Sequence, residues 1–434
     1  MYSLYNTFLL LASLGALPYF AIKSLHTTKY RAGLRQRFGH VPPEIASALR
    51  GVRPLWLHAV SVGEVIAAVP LVSALRQRFP HLLILISTVT ETGQATAREK
   101  MAGAACLYFP LDYPWVVHQV ISRLQPRLFL MVETEIWPNF LRELTRQAIP
   151  AILVNGRISP RSFRGYRRLR PFMCRVLPAI TSFSMQTTLD AQRIIAIGAD
   201  PSRVHITGNI KYDLAFEPLT SPDERAFRAD LGIGEAPVFM AGSTHRGEED
   251  IVITAYLRAR LQVPALRLLL APRHLDRLDE IEALLRKYQL MVHRCSHGRL
   301  SSQGGAAPVL LLDTIGELAK LYAVGTVIFV GGSLAPIGGH NVLEPAAHRK
   351  AILFGPHMHN FQQVAAALLE ADGAVQVHNP EALGEHVSML LQQPERRQAL
   401  GEAAHRVLRA NQGAIIRTVD LIAQVLSQQT LASQ

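Results

Sequence analysis

The feature that most constrains this chain is an alternation repeated along nearly its whole length: a short, mostly apolar run, a break at Gly, Ser, Thr or Pro, then a longer stretch with helical periodicity. In the first half the apolar runs are Leu55-Trp56-Leu57-His58, Leu82 to Ile86, Leu128 to Val132 and Ala151 to Val154. In the second half they are Val238 to Ala241, Leu268 to Ala271, Val309 to Leu312, Val327 to Val330 and Ala351 to Phe354. Runs without polar alternation suit strands covered on both faces, as in the parallel sheet of βα units. At 434 residues the chain exceeds what one core usually holds, about 250–300 residues. The reading is therefore α/β, with two Rossmann-like doubly wound domains and a ligand in the cleft between them, at the carboxyl ends of the strands.

The segment from Tyr212 to Pro222 lacks either periodicity and holds two prolines, which places the linker at 212–222. It separates a first domain at 23–211 from a second at 223–434, whose last forty residues read as amphipathic helices starting near Glu395, with Leu400, Ala404, Val407 and Leu408 on one side. Residues 1–22 carry no charge and are followed by Lys23, Lys29, Arg31, Arg35 and Arg37. A cleaved secretory leader would carry its cations before the apolar run, so this segment reads as an N-terminal membrane-anchor helix with the body of the protein cytoplasmic. With Asn6 and Pro18 inside it, the stretch is close to the lower limit for crossing a bilayer, and spanning or lying in the interface both remain open.

Charge is unevenly spread. Residues 1–215 hold 25 Lys+Arg against 11 Asp+Glu, whereas residues 216–434 hold 20 against 22. The basic half suits an anionic membrane surface or a phosphorylated acceptor. No zinc-finger spacing, RNA-binding signature or basic zipper accompanies the charge, so nucleic acid is not expected as a partner. Cys106, Cys174 and Cys295 are too scattered for a disulfide framework or a C-x-x-C site and read as small buried hydrophobes.

The loops after the second-half strands concentrate small and polar residues. Gly242 and Ser243 open one, where glycine permits close backbone approach and the acids Glu248, Glu249 and Asp250 suit a helix's first turn. Pro272 and Arg273 follow another strand, putting a guanidinium where it can grip a phosphate or, equally, pair with Asp276 or Asp279. Ile315, Gly316 and Glu317 form a strand-to-helix turn able to contact a base or a phosphate. Beyond Gly339, Asn341-Val342-Leu343-Glu344 has capping-box spacing, and the Glu344 carboxylate there can also accept ribose hydroxyls. His357 and His359 read as polar loop residues, and with no Asp-x-Asp pair in the chain neither a metal nor another cofactor is expected.

In the first half, Ser61 and Gly63 lead into a helix that carries Glu64 near its start, where a carboxylate either complements the helix dipole or takes a proton from an acceptor hydroxyl. Glu133 and Glu135 follow another strand, and crowded carboxylates of this kind raise at least one pKa. After the fourth strand comes Arg157, and a helix starting at Pro160 would set Arg161, Arg164 and Arg168 on one face, an array matched to lipid phosphates.

Taken together and in this order, the motifs from His58 to Glu64, Glu133 to Asn139, Asn155 to Arg157, Gly242 to Thr244, Pro272 to His274, Asp313 to Glu317 and Gly338 to Pro345 resemble the 3-deoxy-manno-octulosonic acid (Kdo) transferases of lipopolysaccharide assembly. The resemblance implies a GT-B fold and inverting, metal-independent transfer from CMP-Kdo to the tetraacylated, doubly phosphorylated lipid A precursor at the cytoplasmic face of the inner membrane. It further implies that Glu64 is the general base with Glu133 in support. Pro272 and Arg273 then hold the CMP phosphate, Ile315 to Glu317 lie near the cytidine, and Asn341 to Glu344 bind the ribose. A sugar-nucleotide epimerase would share the glycines but would have no use for the apolar N-terminus or the arginine array.

Overall fold

A computed structural model describes residues 1–26, 33–213, 220–298 and 308–432. Among them the chain divides into two units, Met1–Leu214 joined by Asn411–Gln434, and Ala215–Ala410. The break falls inside the expected linker, most of which, 214–219, lies outside the described residues.

The first unit's strands are β1 (Leu55–His58), β2 (Ile84–Thr88), β3 (Ala105–Tyr108), β4 (Leu128–Val132), β5 (Ala151–Gly156), β6 (Ser182–Met185) and β7 (Val204–Ile206). They form one sheet in the order β3-β2-β1-β4-β5-β6-β7, with every pair parallel. Successive residues serve opposite faces. Trp56, Phe129, Met131 and Leu153 enter one core layer, while Leu55, Leu57, Leu128, Leu130 and Val132 enter the other. Burial of each such side chain stabilises by roughly 1.5–3 kcal/mol, which is why these strands carry no polar alternation.

The second unit has β8 (Val238–Thr244), β9 (Arg267–Pro272), β10 (Val292–Arg294), β11 (Val309–Leu311), β12 (Val327–Val330), β13 (Ala351–Phe354) and β14 (Ala374–Gln376). Its order is β10-β11-β9-β8-β12-β13-β14, again parallel throughout. Both sheets are thus doubly wound, with the strand order reversing between β1 and β4 in one and between β8 and β12 in the other. Those switch points are where open α/β sheets bind ligands.

Two expectations are corrected. The last helix, Ala414–Ala432, belongs to the first unit and not to the second domain: Ala414, Ile415, Val419, Ile422, Val425 and Leu426 join the core layer of Leu55 and Leu57. Asp213 caps it, accepting from Gly413 N and Ile415 N at 2.6 Å each. The preceding helix, Pro394–Asn411, matches the amphipathic reading, with Leu400, Ala404 and Leu408 buried. Of the three cysteines only Cys106 is buried; Cys174 is exposed and Cys295 half-buried.

The first helix runs Tyr2–His26, and among the described residues no helix is long and apolar enough to cross a membrane. One side docks on its own unit: Tyr2 and Tyr5 pack on Phe172, the Arg142 guanidinium lies over the Tyr2 ring, and Ser13 meets the Tyr113 hydroxyl. The opposite side leaves Leu4, Phe8, Leu11 and Leu14 in solvent. Lys29 and Arg31 lie outside the described residues.

Candidate functional site

At the first switch point β1 ends in His58, whose ring is fully buried, stacked on Phe109 at 3.9 Å between centroids, and bonded through Nδ1 to Ser87 Oγ at 2.9 Å. Burial lowers its pKa to about 3, so it is a neutral strut. The chain then turns through Ala59–Ser61 into the helix Val62–Arg78. Glu64 sits in that helix's first turn and folds back over the turn: Oε2 accepts from Val60 N at 2.6 Å and Oε1 from Ser61 Oγ at 3.0 Å. This resembles half of a capping box, yet the carboxylate stays largely out of water. Desolvation first, and then the negative charge of Glu133, raise its pKa to about 7 against the opposing effect of those two hydrogen bonds. A carboxylate poised there can take a proton near neutral pH. Gly63 faces open space: a Cβ built on it would meet only Ser61 Oγ, at 4.0 Å. Among the described residues nothing demands glycine at this position.

Glu133 follows β4 with φ 60, a left-handed setting that bulky residues adopt at a cost of about 1–3 kcal/mol and that collects at functional sites. The setting takes the chain out of the extended conformation of β4 before Glu135 is reached. Glu133 N donates to Val154 O at 2.8 Å, and Thr134 Oγ1 donates to Arg157 O. Glu135 is also held above its ordinary pKa, by burial first and with a further contribution from Glu133. Glu64 thus responds to the charges of both Glu133 and Glu135.

Sequence reasoning missed Lys211, which lies at the end of this unit's sheet, 3.5 Å from Glu133 Oε1 through Nζ. It lies 78 positions from its partner, in the turn Ile210–Asp213 after β7, which folds back over the strand ends towards β5 and β4. Asn155, at the end of β5 with φ 55, uses Oδ1 to accept from Ile210 N at 3.1 Å and so fixes the turn that carries Lys211. The helix Pro160–Arg168 forms as expected, capped by Ser159; Arg161, Arg164 and Arg168 are exposed on it, and Arg157 precedes it.

In the second unit Gly242 and Ser243 lie within β8, with Ser243 at φ 57. A Cβ at Gly242 would fall 2.1 Å from the Tyr322 hydroxyl, and one at Gly339 would fall 2.2 Å from Met358 Sδ. Internal packing is therefore sufficient reason for glycine at both. The loop after β12 is gathered onto one buried carboxylate, Glu248, which the sequence pointed to only as a partner of the helix dipole. Glu248 accepts from Gly332 N, Ser333 N, Leu334 N and Ala335 N at 2.7 to 3.2 Å, and from His245 N at 2.9 Å. Its neighbour Glu249 pairs with Arg277 at 2.9 Å.

Pro272 is buried at the end of β9, and Arg273, whose N–H donates to Thr244 O at 3.0 Å, projects into solvent. Asp279 pairs with Arg294 instead, and among the described residues no ion pair occupies Arg273. Ile315 is 84% exposed at the tip of the loop after β11, beside Gly316 at φ 92 and Glu317, whose carboxylate accepts from Thr314 Oγ1. Asn341 departs from the expected capping box. The helix is Leu343–Ala347, Asn341 Oδ1 accepts from Leu343 N at 3.1 Å, and its Nδ2 donates to Glu344 Oε1 at 3.2 Å. Desolvation raises the Glu344 pKa to about 7, opposed by the Asn341 bond and the Arg273 charge. Val342 and Leu343 are buried and hold this turn in place. His357 and His359 are exposed, the latter beside Gly338. The sequence-chosen donor residues thus lie at the ends of neighbouring strands of one sheet or on the loops that follow them, together with the His245 and His340 imidazoles, which sequence reasoning did not single out.

Residues 32–214 match the family model described as 3-deoxy-D-manno-octulosonic-acid transferase (kdotransferase). The 3-deoxy-D-manno-octulosonic acid transferase of Haemophilus influenzae is 34% identical over 430 residues, 98% of each chain. A glycosyltransferase from Rickettsia africae superimposes with TM-score 0.56 at 12% identity, over 86% of this chain and 98% of that one. The putative UDP-N-acetylglucosamine 2-epimerase of Listeria monocytogenes does so with TM-score 0.54 at 15% identity, over 86% and 97%. At such identities the two structural likenesses speak for the fold alone.

Proposed function

The chain belongs to the 3-deoxy-D-manno-octulosonic acid transferase family, and from that premise we propose that it transfers Kdo from CMP-Kdo to a lipid A-type acceptor, specifically the tetraacylated, doubly phosphorylated precursor. The observation that carries this reading is Glu64: a carboxylate at the first switch point with its pKa lifted to about 7, beside open space at Gly63 and near Glu133 and its cation Lys211.

Chemically, Glu64 accepts the proton of an acceptor sugar hydroxyl while that oxygen bonds to the anomeric carbon of Kdo. The bond from that carbon to the CMP phosphate oxygen breaks, and attack opposite the leaving group inverts the centre. Lys211 offsets the charge of Glu133 and of the reacting acids. On the donor side, Arg273 supplies a fork of N–H groups for the phosphate that leaves, the ionised Glu344 accepts ribose hydroxyls, and Ile315 offers an apolar surface to the base. This division of labour uses a cation where other transferases use a metal ion.

The first helix supports attachment at the cytoplasmic face of the inner membrane, with the helix lying in the interface. Leu4, Phe8, Leu11 and Leu14 share its outer side, and Trp115 and Leu169 on neighbouring elements are each 57% exposed. Arg161, Arg164 and Arg168 provide partners for lipid phosphates. The deciding experiment incubates the purified chain with CMP-Kdo and the phosphorylated lipid precursor in EDTA, followed by mass spectrometry of the lipid. A mass gain of one or more Kdo residues is expected; an unchanged lipid with intact enzyme would sink the reading.

A further inference from the structure

The loop that carries Glu133 and Glu135 is fastened at its start by Val154 and Arg157, and its far end is held by an unusual device. The helix that follows, Pro138–Arg146, has no cap of its own, because Trp137 stands at the cap position and Pro138 at the first turn. Its first free amides, Asn139 N and Phe140 N, donate instead to the Asp112 carboxylate, at 3.0 and 2.8 Å. Asp112 comes from the turn after β3, is 5% exposed, and meets the positive end of the helix dipole. The other donor to this carboxylate among the described residues is the Tyr5 hydroxyl, at 2.9 Å. Asn139 doubles the connection, its Nδ2 donating to Asp112 O at 2.6 Å and to Asn6 Oδ1 at 2.7 Å.

Tyr5 and Asn6 belong to the first helix. At 100° per residue, Tyr2, Tyr5, Asn6 and Ser13 fall on one side, and Leu4, Phe8, Leu11 and Leu14 on the other. One helix therefore presents an apolar stripe outward and, through its inner side, grips the anchor of the acidic loop. We propose that Tyr5 and Asp112 are positioning residues for sugar transfer: the seating of the first helix sets the loop that carries Glu133 and Glu135. The inference rests on the functional reading above, and it makes the helix part of the catalytic geometry as well as an attachment.

Tyr5→Phe keeps the ring on Phe172 and removes one hydroxyl, so it isolates the link. Full-length wild type, Tyr5→Phe, Asp112→Asn and the double variant are assayed with acceptor presented at saturation in detergent micelles, where vesicle attachment plays no part. Tyr5→Phe is expected to lower kcat roughly tenfold, since small misplacements of reacting groups cost up to about 100-fold, with KM for CMP-Kdo and CMP affinity unchanged. The double variant should be no worse than Asp112→Asn alone, because both break the same connection. A wild-type kcat in Tyr5→Phe, or losses that simply add, overturns the proposal. Should Asp112→Asn fail to fold, Tyr5→Phe decides alone. Absence of transfer by the wild type overturns the functional reading and this inference with it, whereas transfer by the wild type with an unaltered Tyr5→Phe variant overturns this inference only.

Discussion

The Nε2 atoms of His245 and His340 face each other at 2.8 Å with their rings parallel, so one must donate and the other accept. A second proton on the pair would set two donors against each other, and Arg273 and His274 add positive charge beside them. Burial first, then these charges, lower the His340 pKa from 6.5 to about 4. Between those values the unfolded chain binds a proton that the folded chain refuses. Stability from this group is thus complete above about pH 6.5, erodes as pH falls, and is gone below about pH 4. Urea denaturation at pH 7 and pH 5 should show a loss in the wild type that shrinks by about 1–2 kcal/mol in His340→Asn. Equal losses in both chains would contradict the shared-proton arrangement.

Glu64→Gln removes the proposed proton acceptor and little else, because an amide oxygen still accepts from Val60 N. A loss of about 10²–10⁴ in kcat is expected, the usual contribution of a general base, with CMP affinity by calorimetry unchanged. A variant that transfers Kdo at the wild-type rate would remove Glu64 from the chemistry.

The same carboxylate should write its pKa into the pH profile. With the base at about 7, kcat/KM is expected to rise with pH through that value. Glu133 is the second contributor to the upward shift, so in Glu133→Gln the residual activity should keep its shape but have its midpoint at lower pH. Profiles of wild type and variant with the same midpoint would show that the two acids do not interact.

Nine of the strands were legible as apolar runs, and Glu64, Glu133, Arg273 and Glu344 could be picked out because each follows such a run. The strands that escaped are short or polar: Ser182–Met185 alternates with serine, and Val292–Arg294 carries His and Arg at a sheet edge. What stayed hidden at the site is contributed by distant sequence. Lys211 reaches Glu133 from the turn after β7, Asp112 caps a helix 27 positions on, and Asp213 caps another 202 positions on. The C-terminal helix was assigned to the wrong unit for the same reason: an amphipathic pattern states that one face is buried, and not against which sheet.

Glu248 offers a test of the donor loop's support. Replacing it by Leu would leave five amides, from His245 and from Gly332 to Ala335, without their acceptor in a largely buried place. Unpaired buried groups cost about 1–3 kcal/mol each before relaxation, so a net destabilisation of roughly 3–5 kcal/mol is expected, with Glu248→Gln milder because one oxygen remains. Chemical denaturation gives the total, and faster hydrogen exchange at residues 332–335 should locate it. Slow exchange there in Glu248→Leu would mean that the loop holds its shape unaided.

Arg273 and Glu344 are coupled, and CMP affinity should show it. A charge-assisted, bidentate grip on phosphate is worth about 1.5–3 kcal/mol, so Arg273→Ala should weaken CMP by roughly 10- to 100-fold, and Arg273→Lys should restore only part because an ammonium is a point charge and not a fork. The guanidinium also holds the Glu344 pKa down from where burial alone would set it. Without it Glu344 stays protonated to higher pH and loses its strength as an acceptor for ribose hydroxyls. Wild-type affinity for CMP is therefore expected to rise with pH through about 7, and that rise should move to higher pH in Arg273→Ala. Glu344→Gln should flatten the dependence in either background, which separates the ribose contact from the phosphate contact; a rise that persists in Glu344→Gln would assign the titration to another group.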